Sequence, residues 1–352
     1  MKQITHGGDI YSQRDIPGNK KIIDFSANVN PLGLPPAVKR AIIDNLDAFS
    51  NYPDPLCREL TGAISEHEKI PKEYIVCGNG AADIIYRIAA VSRPKIALLP
   101  APTFSEYEQS LKAVGSSIKY HYLIKDEDFI LDEKIFIDIE PYVDIMFLCN
   151  PNNPTGIPIK KEAVLKIGEQ CKRNKTVLVV DECFIDFLEN PQDFSIVSKL
   201  EDFPNIIVLK AFTKTYAMAG IRLGYGICAD KKIISNMNDA GQPWNVSLVA
   251  QKCGVAALKE YEYVKRTRIL IGENRDYLMK NLKLMGIKVF ESMANYILFK
   301  SENRHLHREL EKEGILIRSC GNYVGLNDFY FRMAVKLKDD NEYFIKSMNR
   351  IL

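Results

Sequence analysis

From about residue 74 onward, short apolar runs alternate with longer amphipathic stretches, and this alternation constrains the fold more than any other feature. Seven runs, at 74–77, 96–99, 118–122, 145–149, 177–180, 206–209 and 225–228, read as strands. Residues 82–91, 104–114 and 160–173 read as helices between them. The alternation predicts an α/β domain built on a mainly parallel sheet. Ligands of such sheets gather at the carboxyl ends of the strands, so the segments just after each run carry the most information about chemistry. After Ser247 a long helical pattern leads to a different region, where 296–300, 315–318 and 330–335 read as strands of a smaller α+β domain.

The gross composition agrees with two domains: 352 residues and 46% hydrophobic content suffice for a sizeable core. Formal charge is only +2, which provides no electrostatic footprint for nucleic acid or an anionic membrane. Eight cysteines occur without a Cys-x-x-Cys pair or a cysteine–histidine cluster, so free thiols in a reducing compartment are expected, and no disulfide or metal site. The first eight residues have no apolar centre of the signal-peptide kind, and no apolar run approaches the roughly 20 residues that span a bilayer. A cytoplasmic protein is expected.

Lys214 follows the apolar run 206–209, and Arg222 lies eight residues on in a glycine-rich stretch. An apolar setting lowers a lysine's pKa and frees its amine to attack a carbonyl. The donor fork of an arginine suits a phosphate. Together they point to an aldehyde-and-phosphate cofactor held covalently, pyridoxal 5'-phosphate. Gly78-Asn79-Gly80-Ala81-Ala82-Asp83 follows a strand and opens a helix, where free N–H groups favour phosphate; a tight turn without a ligand reads equally well. Asn150-Pro151-Asn152-Asn153-Pro154-Thr155-Gly156 reads as a rigid turn aiming amides at a strand end. Asp181 closes a buried strand and needs a cation or donors, a need that a protonated pyridine nitrogen would meet. Such a contact keeps the ring electron-accepting. Phe104 reads as a residue for stacking on the ring or as plain core.

In motif order, nearly the whole chain resembles the aspartate-aminotransferase-like, fold type I, pyridoxal-phosphate enzymes. The resemblance implies that Lys214 bonds to the cofactor's aldehyde carbon. Arg222, with Gly80, Ala81, Ala82 and Thr213, would hold its phosphate, Asp181 its ring nitrogen and Asn153 its ring hydroxyl oxygen. Phe104 would stack on the ring. Tyr52 would reach the phosphate from a partner subunit, implying a homodimer. By resemblance, residues 1–44 pack with the small domain, 45–250 form the large cofactor-binding domain and 251–352 the small one.

Two sub-families compete, histidinol-phosphate aminotransferase and the threonine-phosphate decarboxylase of cobalamin synthesis. Three segments look like the decarboxylase: His6-Gly7-Gly8-Asp9, the stretch 24–33 containing Asn28, and 315–326 followed by Tyr330-Phe331-Arg332. Phe184 also stands where the aminotransferase typically has Tyr. Arg318 and Arg332 lie in apolar strands, where a phosphate with a carboxylate nearby would offset their burial; protein carboxylates are the alternative partners. By resemblance, His6, Gly7, Asn28 and Asn153 join them around a small phosphorylated amino acid. L-threonine O-3-phosphate is the expected substrate; serine phosphate is a close competitor and histidinol phosphate the second reading. Three departures stand out. Ala211 replaces a usual Ser or Thr, Ala81 and Ala82 lack side-chain oxygens, and Asp9 replaces a usual Asn. Weaker cofactor binding is expected from the alanines.

Overall fold

A computed structural model describes residues 7–11 and 22–352. Strand β1 (Ile23–Asp24) precedes the seven strands of the large sheet: β2 (Ile75–Gly78), β3 (Ile96–Ala101), β4 (Ser117–Tyr122), β5 (Ile145–Cys149), β6 (Val177–Asp181), β7 (Ile206–Ala211) and β8 (Gly224–Ile227). Their order is β2-β8-β7-β6-β5-β3-β4. All pairings are parallel except those of β8, which runs antiparallel to both β2 and β7. The sheet is thus the mainly parallel, seven-stranded one expected. Tyr74 and Cys228 fall just outside it; Tyr74 closes a short 3-10 turn, Lys72–Tyr74.

The apolar runs are explained by burial on both faces. In β6, Leu178 and Val180 face one core cluster and Val179 the other. The same two-residue period governs β7, with Ile206 and Val208 on the first side and Ile207 and Leu209 on the second. Helices Ala81–Ser92 and Ser105–Ala113 pack on the second side through Ile84, Ile88, Tyr107 and Leu111.

The helical pattern after Ser247 is two helices, Leu248–Ala257 and Tyr261–Leu284, rather than one. Ser247 caps the first, its hydroxyl accepting from the Ala250 N–H at 3.2 Å. Beyond them β9 (Lys288–Val289), β10 (Tyr296–Lys300), β12 (Arg318–Ser319) and β13 (Tyr330–Ala334) form an antiparallel sheet ordered β12-β13-β10-β9. β11 (Ile315–Leu316) instead pairs in parallel with β1. The single strand expected at 315–318 is therefore two, because the chain leaves β1 and joins β13 on either side of Ile317. Two-residue strands carry too little periodicity to be read ahead. Helix Pro36–Asp44 packs against Leu248–Ala257.

Candidate active site

At the carboxyl ends of β5, β6 and β7 a cavity of about 220 Å³ opens between the two sheets. Each wall follows from a strand end. Where β7 stops, the short helix Phe212–Thr215 carries Thr213 and Lys214 into the cavity. Burial pushes the Lys214 ammonium down to about 8; Arg332 and then Arg222 add to the shift, while Cys183 and Asp181 oppose it. Its Nζ lies 5.9 Å from the centre of the Phe184 ring.

Asp181, buried at the end of β6, lines the cavity floor. Its Oδ2 accepts from the Tyr107 hydroxyl at 2.6 Å and its Oδ1 from the Cys183 N–H at 3.0 Å. Among the described residues no cation pairs with it, so a buried carboxylate faces an open cavity. Phe104 lines the wall above, packed edge-on against Tyr107 with ring centroids 5.5 Å apart.

The Gly78–Gly80 turn opens helix Ala81–Ser92 with no side-chain cap, and Ala81 and Ala82 line the cavity. The first N–H groups of the helix are thus left for an anion. Gly80 has φ +81°, and a Cβ there would lie 2.5 Å from Arg222 Nη2. A Cβ on Gly224 would lie 2.5 Å from the Ala81 nitrogen. Arg222 itself takes a left-handed φ of 64° and donates to the Ala219 carbonyl at 3.2 Å. The two glycines let helix, strand and guanidinium close around one anion-sized place.

The turn after β5 uses its amides differently from the expectation. Asn150 bonds Ile159 through both its amide atoms, and Asn152 bonds the Pro102 carbonyl, Thr103 and Thr155. Those two hold the loop, and only Asn153 reaches the cavity. Its Oδ1 accepts from Arg332 Nη1 at 2.6 Å, and Arg332 Nη2 donates to the Ser26 carbonyl at 2.6 Å.

Arg332 is only 6% exposed, its Nε has no partner, and no carboxylate pairs with it among the described residues. It sits directly opposite Arg318 in the antiparallel register of β12 and β13. Like charges so opposed destabilise a sheet. Arg318 donates to Asn322 Oδ1 at 2.6 Å and lies 5.5 Å from the Tyr323 ring centre. Both arginines line the cavity, as do Asn28 and Gly7. Asn28 Oδ1 is buried without a partner among the described residues. Gly7 is pressed against Ser26, where a Cβ would lie 2.2 Å from the carbonyl oxygen, and the Gly8 N–H donates to Ser26 Oγ at 2.8 Å.

Nearly every site residue expected from the sequence therefore meets in one cavity. Gly80 stands just behind its wall, and His6 lies outside the described residues. Tyr52 is away from the cavity, 79% exposed and stacked on Trp244 at 4.6 Å. Sequence reasoning passed over Tyr107, Cys149, Ser26 and Tyr323; the only signal for Tyr107 was a polar-tipped aromatic on the buried stripe of its helix.

Residues 20–348 match the family described as aminotransferase class I and II. The chain belongs to that family. It is 35% identical over 353 residues to the threonine-phosphate decarboxylase of Salmonella typhimurium, covering 99% of this chain and 96% of the relative. It is 34% identical to a histidinol-phosphate aminotransferase of Desulfitobacterium hafniense, covering 97% and 94%. The crystal structure of the histidinol-phosphate aminotransferase from Clostridium acetobutylicum superposes with a TM-score of 0.87 at 32% identity, over 93% of this chain and 98% of that one. The motif-based resemblance and the fold type I architecture are thus shown, and the protein is an enzyme of the pyridoxal-phosphate-dependent class. The residues present fit that cofactor: an uncapped helix N-terminus beside an arginine, a buried carboxylate lacking a cation, and a lysine of lowered pKa share one cavity. All eight cysteines are free thiols. Among the described residues no helix is long and apolar enough to cross a membrane.

Proposed function

We propose that the enzyme decarboxylates L-threonine O-3-phosphate to (R)-1-amino-2-propanol O-2-phosphate and carbon dioxide, a step of cobalamin synthesis carried out in the cytoplasm. Pyridoxal phosphate supplies a ring that accepts the electron pair of the breaking bond. Lys214 would hold its aldehyde carbon, Asp181 its ring nitrogen, Asn153 its ring hydroxyl oxygen, and Phe104 its face. Arg222, Thr213 and the N–H groups following Gly80 would hold its phosphate.

The observation that carries the substrate reading is the opposed pair Arg318 and Arg332, of which Arg332 is buried without a carboxylate. An anionic substrate offsets both the burial and the mutual repulsion. Threonine phosphate brings two anionic groups, a phosphate and a carboxylate. The Cα–carboxylate bond breaks, carbon dioxide leaves, and Lys214, freed when the substrate amine takes the aldehyde carbon, or a nearby donor returns a proton to Cα. Identity to the Salmonella decarboxylase and Phe184 in place of the aminotransferase Tyr support the same choice. His6 and Asn28 would add contacts to the substrate. Serine phosphate lacks only one methyl, a difference worth about 1–3 kcal/mol in selectivity.

Histidinol-phosphate aminotransferase is the second reading, favoured by the 34%-identical Desulfitobacterium relative and the 0.87 superposition. One assay separates them: carbon dioxide release from O-phospho-L-threonine with and without 2-oxoglutarate. Release independent of the acceptor is expected. Glutamate formation from 2-oxoglutarate and histidinol phosphate, with no carbon dioxide, would sink the decarboxylase reading.

A further inference from the structure

We propose that Tyr107 is a positioning residue that fixes the carboxylate of Asp181 toward the cofactor ring, an inference that rests on the pyridoxal-phosphate reading of the cavity. Tyr107 is fully buried on helix Ser105–Ala113, one layer behind the cavity wall. Its hydroxyl donates to Asp181 Oδ2 at 2.6 Å, the usual length of a charge-assisted O–H···O bond. Its ring stacks on Phe147 at 4.9 Å and meets Phe104 edge-on at 5.5 Å. One side chain thus braces both the carboxylate beneath the ring and the aromatic expected on the ring face.

The donor role of the phenol is fixed by its setting. Burial, reinforced by the charge of Asp181, pushes its pKa well above the ordinary tyrosine value, so it stays protonated. Asp181 then has one donor on each oxygen, the phenol on Oδ2 and the Cys183 N–H on Oδ1. The other titratable groups around Asp181 are Cys149 at the end of β5, Cys183, Lys214 and Tyr296 from β10. Burial raises the pKa of both thiols and of Tyr296, so these three stay neutral over the physiological range. Lys214 is taken up by the cofactor. The phenol and one backbone N–H are therefore what hold the carboxylate in place from the protein side.

The test is a double-mutant cycle on the full-length protein with Tyr107→Phe and Asp181→Asn, reading the equilibrium affinity of the apo-protein for pyridoxal phosphate and the pH dependence of the bound cofactor's visible absorbance. Tyr107→Phe removes one oxygen and leaves the ring packing intact. It is expected to weaken cofactor affinity about tenfold and to shift the absorbance transition, since a hydrogen bond to a charged group is lost. In the Asp181→Asn background the same change is expected to have less than a threefold effect, because the charge that it serves is gone. A purely packing role would weaken both backgrounds equally and leave the absorbance transition unmoved; that result would overturn the proposal, as would a Tyr107→Phe protein identical to wild type in both readouts. Wild-type protein that binds no pyridoxal phosphate would instead overturn the cofactor reading beneath it.

Discussion

Two residues at the cavity decide the most about its chemistry. Lys214 is an ammonium whose burial brings its pKa to about 8, so at pH 7 it is mostly charged and at pH 9 mostly free amine. The rate at which the apo-protein captures pyridoxal phosphate should therefore rise with pH through a midpoint near pH 8 and level off by about pH 9. A solvated lysine would keep gaining to about pH 10.4. Stopped-flow absorbance across that range measures the midpoint; a rise continuing past pH 9.5 would contradict the buried-amine account. Ala211 lines the cavity beside Thr213 without a hydroxyl. Ala211→Ser restores one donor and should tighten cofactor binding several-fold in an equilibrium titration, a hydrogen bond being worth about 0.5–1.5 kcal/mol net. Lys214 and Arg222 were legible because lysine after an apolar strand and arginine among glycines are chemically conspicuous. Tyr107 was not, since its hydroxyl matters only through an aspartate distant in sequence.

Among the elements, the cradle at the start of helix Ala81–Ser92 depends on close approach rather than on side chains. Gly224 brings β8 so near that a Cβ would lie 2.5 Å from the Ala81 nitrogen and 2.8 Å from the Gly80 carbonyl carbon. Gly224→Ala must push the helix start away from Arg222 and is expected to weaken cofactor binding more than tenfold, with the far-ultraviolet circular dichroism unchanged. Wild-type affinity in that variant would show that the anion is held elsewhere. The strands themselves were readable because burial on both faces leaves continuous apolar runs. Strand ends were read short by one or two residues, as at Asp181 and Ala211, where functional residues interrupt the apolar pattern while the ladder continues. β1, β9 and the split between β11 and β12 escaped, being set by which neighbour each two-residue piece meets.

At the scale of the whole molecule, the face of the sheet opposite the cavity holds a buried ion network. Lys210 lies 3.3 Å from Glu68 and 3.6 Å from Glu182, and the Tyr225 hydroxyl bonds Glu68. Ser195 and the Ile196 N–H bond Glu182. The network ties the ends of β6 and β7, which carry Asp181 and Lys214, to β8 and to helix Arg58–Glu68. Lys210→Met leaves two carboxylates buried and unpaired and should cost about 3–5 kcal/mol in chemical denaturation. Adding Glu182→Leu should recover part of that loss; no loss in the single variant would remove the network from the account of stability. The proposed homodimer, with Tyr52 serving the partner's site, calls for subunit mixing. Inactive Tyr52→Ala and Lys214→Ala proteins should regain activity when unfolded and refolded together, because one site of the mixed dimer is then complete. Continued inactivity in a verified mixed dimer would mean that Tyr52 does not act across the interface.

The sequence by itself determined the α/β class through its apolar period and pointed to the cofactor through charged groups after apolar strands, while resemblance to the family supplied residues such as Gly7, Asn28 and Asn153. Tertiary structure alone decided how those residues are supported. Asp181 and Glu182 are neighbours in sequence, yet the strand's alternation sends one to the cavity and the other to the ion network behind it. The pairing of Arg318 with Arg332, the Tyr107 bond and the loop-holding role of Asn150 and Asn152 follow from register and packing between segments far apart in the chain. No local pattern encodes such contacts, since each exists only once both segments are in place.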